Sequence, residues 1–198
     1  MLFIGCKENP KVKESKSKKV EYDISFDSNK SIIELNIDTF DNFNRMVVAL
    51  EKSICDNKLT VIRFENDSTI YKIKPINFCP DDDTNFDYYL RDVIWLTYDS
   101  IIVNQNIRFS IDSLCPVLEK HLVNKNNAPD FGSQKSQISY LKNGFIKVNI
   151  DSTKTISEVK LIFQKLTNDF IDLNKQYGDS LRLYIELEKE PSYKWMSD

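Results

Sequence analysis

The chain has 198 residues, 41% apolar and 12% aromatic, with a net charge of −3 and a pI near 5.4, which suits one domain or two small ones with a real core. Its four glycines, Gly5, Gly132, Gly144 and Gly178, lie far apart, and His121 is the single histidine. Phosphate-cradling loops need two or three glycines within about eight positions, and zinc sites of the histidine type need further imidazoles, so both classes are excluded. The acidic balance offers no field to a phosphate backbone, no apolar run reaches the roughly 20 residues of a membrane helix, and neither nucleic acid nor a cofactor is expected.

The chain starts Met1-Leu2-Phe3-Ile4-Gly5-Cys6, an apolar stretch closed by a small residue and a cysteine. This resembles the end of a bacterial lipoprotein signal, with Cys6 as the lipidated residue; the stretch before it is shorter than a signal needs, so the expectation is a truncated signal remnant. The lysine- and serine-rich segment that follows reads as a tether, making residues 1–19 anchor and spacer. Of the other cysteines, Cys55, Cys79 and Cys115, no pair has metal-ligand spacing; with Cys6 lipidated their number is odd, so at most one disulfide forms and one thiol is left over, and small buried hydrophobes are the preferred reading.

Residues 20–90 read as a first ββαβ-type unit with an acidic loop. Glu21–Phe26 and Ser31–Ile37 are strand-like around the turn-rich Asp27-Ser28-Asn29-Lys30. Asp38 or Thr39 is expected to cap a helix over Asp41–Asp56, whose Phe40, Phe43, Val47, Leu50 and Ile54 recur at steps of three and four. Leu59–Phe64 and Thr69–Ile73 form the next hairpin. Asp81, Asp83, Asn85, Asp87 and Asp92 carry calcium-loop spacing, but Phe86 stands where the loop needs glycine, so the segment reads as a solvated acidic loop and no metal is expected.

Residues 91–198 read as a second α+β unit, either separate from the first or continuous with it in one domain. Val93–Tyr98 is a strand that turns at Asp99-Ser100 into Ile101–Val103. Ser113 is expected to cap a helix to Val123, with Pro116 in its first turn and His121 near its C-terminus, where the helix dipole favours a histidine. Asn143-Gly144 reads as a hairpin turn between Ile138–Leu141 and Phe145–Ile150. Thr155 and Glu158 form a capping box for a helix Thr155–Tyr177 with Ile156, Val159, Phe163, Leu166, Phe170, Leu173 and Tyr177 on one stripe; Gly178 ends it and Leu181–Leu187 follows as a strand. The blocks Ile32–Asp38 and Phe145–Asp151 share an isoleucine and Asn-Ile-Asp, which suggests two related units. The expected class is α+β, an antiparallel-rich sheet or sheets with two or three amphipathic helices on one side.

Asp99-Ser100-Ile101-Ile102-Val103-Asn104-Gln105-Asn106-Ile107, with Ser113-Leu114-Cys115-Pro116-Val117-Leu118, resembles the periplasmic domain of the ExbD/TolR biopolymer-transport family. The resemblance continues through Ile138–Leu141 and the helix with Gln164, Leu166, Asn174 and Tyr177. It covers about Asp99 to Leu187 and carries no catalytic motif. It implies a periplasm-facing α+β module that is dimeric and engages protein partners, while the membrane helix of that family, with its essential aspartate, has no counterpart here. The expected function is therefore a non-catalytic envelope lipoprotein, held to the membrane only through Cys6, that binds a protein partner as an accessory to a transport or secretion system or as an immunity-type inhibitor. Phe86, Tyr88, Tyr89, Tyr193 and Trp195 are the expected interaction residues; no catalytic residues are assigned. The alternative is a carboxylate-dependent hydrolase working through Asp81, Asp83 and Asp87.

Overall fold

A computed structural model describes residues 19–21, 32–66, 69–80, 93–104, 106–123, 143–178 and 181–189. Among these residues the chain is α+β, with nine strands in two sheets and three α-helices.

The four-stranded sheet contains β1 (Lys19–Glu21), β2 (Ile32–Asn36), β3 (Leu59–Asn66) and β4 (Thr69–Ile73), in the order β1-β4-β3-β2. The first two strands therefore lie at opposite edges, and the expected hairpin between them does not form; β1 pairs parallel with β4 and β2 parallel with β3. The reason is the helix between β2 and β3: a crossover helix returns the chain to the same end of the sheet, which dictates parallel pairing. That helix, α1 (Phe43–Cys55), begins later than expected. Asn36 caps a 3-10 turn over Ile37–Thr39, and Asn42 then caps α1 by accepting from the Arg45 N–H at 3.0 Å. Asn57, at φ 59°, turns the chain out of the helix, a position asparagine fills more readily than other residues with side chains. The β3–β4 hairpin forms as expected.

The five-stranded sheet contains β5 (Val93–Leu96), β6 (Ser100–Val103), β7 (Ile107–Ser110), β8 (Asn143–Val148) and β9 (Arg182–Leu187), in the order β7-β6-β5-β8-β9. Strands β5, β6 and β7 form an antiparallel meander, while β8 pairs parallel with β5 and β9. Both sheets are thus mixed and not antiparallel-rich. Between β7 and β8 lies α2 (Leu114–Val123), preceded by a 3-10 turn over Ile111–Ser113. Ser110, three residues before the expected Ser113, is the capping residue of that turn.

Gly144 does not turn a hairpin, since it lies inside β8. A side chain there would collide with Leu122 of α2, so its glycine lets the helix approach the strand. Helix α3 (Ile156–Gln176) follows β8 and returns to β9. Its capping box is complete, with the Glu158 N–H donating to Thr155 Oγ1 and the Thr155 N–H donating to Glu158 Oε2 at 2.8 Å. Gly178, at φ 67°, sits just past its end, where the left-handed backbone costs glycine little.

Each of the two similar sequence blocks opens a β-α-β unit, β2-α1-β3 and β8-α3-β9. The units touch where their helices start: Asn42 and Thr155, the two N-caps, form an antiparallel bridge. Lys160 of α3 reaches Asp38 at 2.7 Å, and Asn66 of β3 donates to Gln164 of α3 at 2.5 Å. One hydrophobic cluster takes side chains from both sheets and all three helices, including Phe43, Ile62, Phe64, Ile94, Leu118, Ile146 and Phe163.

The expectation for the cysteines is corrected. Cys55, the last residue of α1, is bonded to Cys79, with Cα atoms 4.8 Å apart. Cys115 is disulfide-bonded as well.

Candidate functional site

Cys6, Phe86, Tyr88, Tyr89, Tyr193 and Trp195 lie outside the described residues, as do Asp81, Asp83, Asn85, Asp87 and Asp92. The structure brings none of them into a described site. His121 falls in the last turn of α2, half-buried. Among the described residues no group of histidine, cysteine or carboxylate side chains could hold a metal ion, and no helix is long and apolar enough to cross a membrane.

Two features of the five-stranded sheet stand out, and one row of cross-strand neighbours joins them. Strand register places Arg108, Ile102, Trp95, Lys147 and Glu186 side by side across the five strands. They share the face opposite the main core, because alternate residues of a strand point to opposite faces. The adjacent row on this face holds Val93, Phe145 and Tyr184. Val93, Trp95 and Ile102 are buried there, with Phe145 packed on them.

Charge sits inside this second cluster. Lys147 Nζ lies 2.6 Å from Glu188 Oε1, 3.4 Å from Glu186 Oε2 and 5.1 Å from the centre of the Trp95 ring. Its side chain is only 12% exposed, and those of the two glutamates 16% and 20%. Burial pushes the Glu186 carboxyl above the usual carboxylate range, against the pull of Lys147. A proton-accepting group raised in this way can serve binding or acid–base chemistry; here the lysine answers both carboxylates, which ties them to the sheet.

The second feature is a contrast between the sheet's two edges. At β9 the edge is closed: Ile76 N–H donates to Ile185 O at 2.9 Å, and the Asn77 carboxamide takes both backbone groups of Leu187, donating to its C=O at 2.5 Å and accepting from its N–H at 3.0 Å. The Cys55–Cys79 bond fixes the segment that does this. At β7, among the described residues, nothing pairs with the outer edge. All four residues Ile107–Ser110 are exposed, and Ile107 and Phe109 are 46% and 39% exposed although large and apolar.

The hydrogen-bond pattern identifies what the open edge presents. Thr97 N–H donates to Ser100 O and Ile111 N–H to Asp99 O. In an antiparallel ladder bonded pairs alternate, so Ile101 and Val103 bond back to Phe109 and Ile107. The backbone N–H and C=O of Arg108 and the N–H of Ser110 consequently point away from the sheet, while the Ser110 C=O, at the N-cap of the 3-10 turn, is committed to that turn. Exposed β edges of this kind pair with other strands unless they are covered or carry charge.

Sequence reading missed both features. The alternation in Phe145-Ile146-Lys147-Val148 and Tyr184-Ile185-Glu186-Leu187-Glu188 marks polar faces of strands, but nothing local says that these strands are neighbours. Comparison with protein-family models, curated proteins and solved structures finds no match.

Proposed function

We propose that the chain is a non-catalytic protein-interaction module of the bacterial envelope that takes a partner's strand on the edge of β7. The observation that carries the reading is the open β7 edge, with outward backbone groups on Arg108 and Ser110 beside exposed Ile107 and Phe109, in a sheet whose other edge is closed by Asn77. Strand addition draws affinity from main-chain hydrogen bonds and specificity from alternate side chains. The Cys55–Cys79 disulfide supports a site outside the cytoplasm, because such bonds persist in oxidising compartments. The ExbD/TolR-like segment supports the envelope setting, with an accessory role in transport or secretion, or in immunity, as the proposed context.

The test places a photo-crosslinking amino acid at Arg108 in the full chain inside cells, and at Arg182 on β9 as control. Protein adducts are expected from position 108 and not from 182. No adduct at 108, or equal labelling at both, would remove the basis for the reading.

A further inference from the structure

We infer that the Cys55–Cys79 disulfide is a reversible thiol switch, and that its reduction releases a strap, residues 74–80, from the outer edge of β9 while the rest of the fold stays intact. Nothing in this switch depends on β7.

Exposure decides which bond is open to attack. Cys55 ends α1 as an exposed residue, whereas Cys115, disulfide-bonded as well, is 5% exposed. Thiol–disulfide exchange needs access of a thiolate to one sulfur, and exposed disulfides are the labile ones. The co-reactant is a dithiol. Its thiolate attacks Cys55 Sγ, the S–S bond breaks, and Cys79, 9% exposed, leaves as a thiolate that takes up a proton. The second thiol of the reagent then attacks the reagent's own sulfur in the mixed disulfide and releases Cys55. Two electrons and two protons thus reach the cysteine pair, and the dithiol ends as its cyclic disulfide.

The bond is also what holds the strap. From the end of β4 at Ile73 the chain runs to Cys79 without regular secondary structure. Pro75 is buried and belongs to the end anchored by β4. Beyond it, among the described residues, three hydrogen bonds reach β9: Ile76 N–H to the Ile185 C=O, and the two between the Asn77 carboxamide and Leu187. Each such bond has a small net value because water replaces it, while every ordered residue of the strap loses conformational entropy of similar or larger size. The three bonds therefore do not hold the strap by themselves, and the covalent link to α1 supplies the difference by restricting the open state. The main core does not run through this link. Met46, Val47 and Leu50 fix α1 in the hydrophobic cluster, to which neither Cys55 nor Cys79 belongs. Reduction accordingly uncovers the Ile185 C=O and both backbone groups of Leu187, and leaves α1 in place.

Stepwise dithiothreitol treatment of the full chain tests this, with iodoacetamide labelling mapped by mass and amide exchange followed by NMR on the same samples. A range of reductant is expected in which Cys55 and Cys79 are alkylated and Cys115 is not. Within it, exchange at the Ile76 and Leu187 amides rises at least about tenfold while the amides of β8 keep their protection. Oxidised glutathione then returns both amides to the slow rate. Asn77→Ala separates the strap from its side-chain bonds: with the disulfide intact its Leu187 amide exchanges fast, and its Ile76 amide stays slow until the dithiol is added. Slow exchange at Ile76 and Leu187 in the reduced chain overturns the inference. So does alkylation of Cys115 together with the pair, loss of β8 protection on reduction, failure of oxidised glutathione to restore the slow rate, or a fast Ile76 amide in oxidised Asn77→Ala.

Discussion

At Lys147 one ammonium answers two carboxylates on a buried sheet face. Breaking such a cluster from the cationic side leaves buried negative charges without a counter-ion, which costs about 3–5 kcal/mol. Neutralising one carboxylate without changing its shape removes a burial penalty as well as an attraction. Lys147→Met is therefore expected to lower unfolding free energy by about 3 kcal/mol, whereas Glu186→Gln changes it by less than about 1 kcal/mol, both read by urea titration at neutral pH. The sign with pH also follows. The folded state holds the Glu186 proton above the ordinary carboxylate range, so stability falls as pH rises from that range through the raised value. Half-buried Asp169, raised by the same cause, adds to the fall. Asp99, held low first by its hydrogen bond from Ser100, and Asp151, held low by the Thr153 N–H, act the other way and lose stability in acid. Glu186→Gln should flatten the decline above the carboxylate range and leave the acid limb unchanged.

The helices were legible in the chain because their contacts are local. Val159, Phe163, Leu166, Phe170 and Leu173 are buried along α3, and Thr155 caps it with Glu158, all readable within 21 residues. Strand pairing was not legible, because a strand's neighbour is chosen by where the chain returns. Asn143-Gly144 shows the failure most clearly: its local chemistry favours a hairpin, and tertiary packing of Leu122 over Gly144 places it in a strand. The candidate site was hidden for the same reason, as Lys147 and Glu186 meet only through the β8–β9 register. The disulfide was hidden too, since Cys55 ends a helix and Cys79 follows β4 with no spacing signature. Closing this loop is expected to contribute about 3 kcal/mol by restricting the unfolded chain. Cys79→Ser should lose that amount in denaturant melts and raise hydrogen exchange at the Leu187 amide, because the segment holding Asn77 over β9 loses its tether.

Across the whole molecule, the two βαβ units share one cluster. Phe163 of α3 lies 6.4 Å from Phe43 of α1 and 6.2 Å from Phe64 of β3, and Phe64 stacks on Tyr71 at 4.8 Å. Residues from the first unit thus surround a side chain of the second. Phe163→Ala is expected to destabilise by about 4 kcal/mol and to shift one unfolding transition, with aromatic and backbone signals moving together; two separated transitions would show independent units. The Lys189–Glu51 ion pair, from the end of β9 to α1, joins the units on another side.

The Cys55–Cys79 bond also turns residues 55 to 79 into a covalent ring, and β3 and β4 lie within it. A protease that cuts once inside the ring opens a loop but does not divide the protein. Such a nick stays invisible on a non-reducing gel and yields two fragments only after reduction. The strand that β2 and β4 both depend on for pairing is in this way kept attached to α1 even when its own chain is broken.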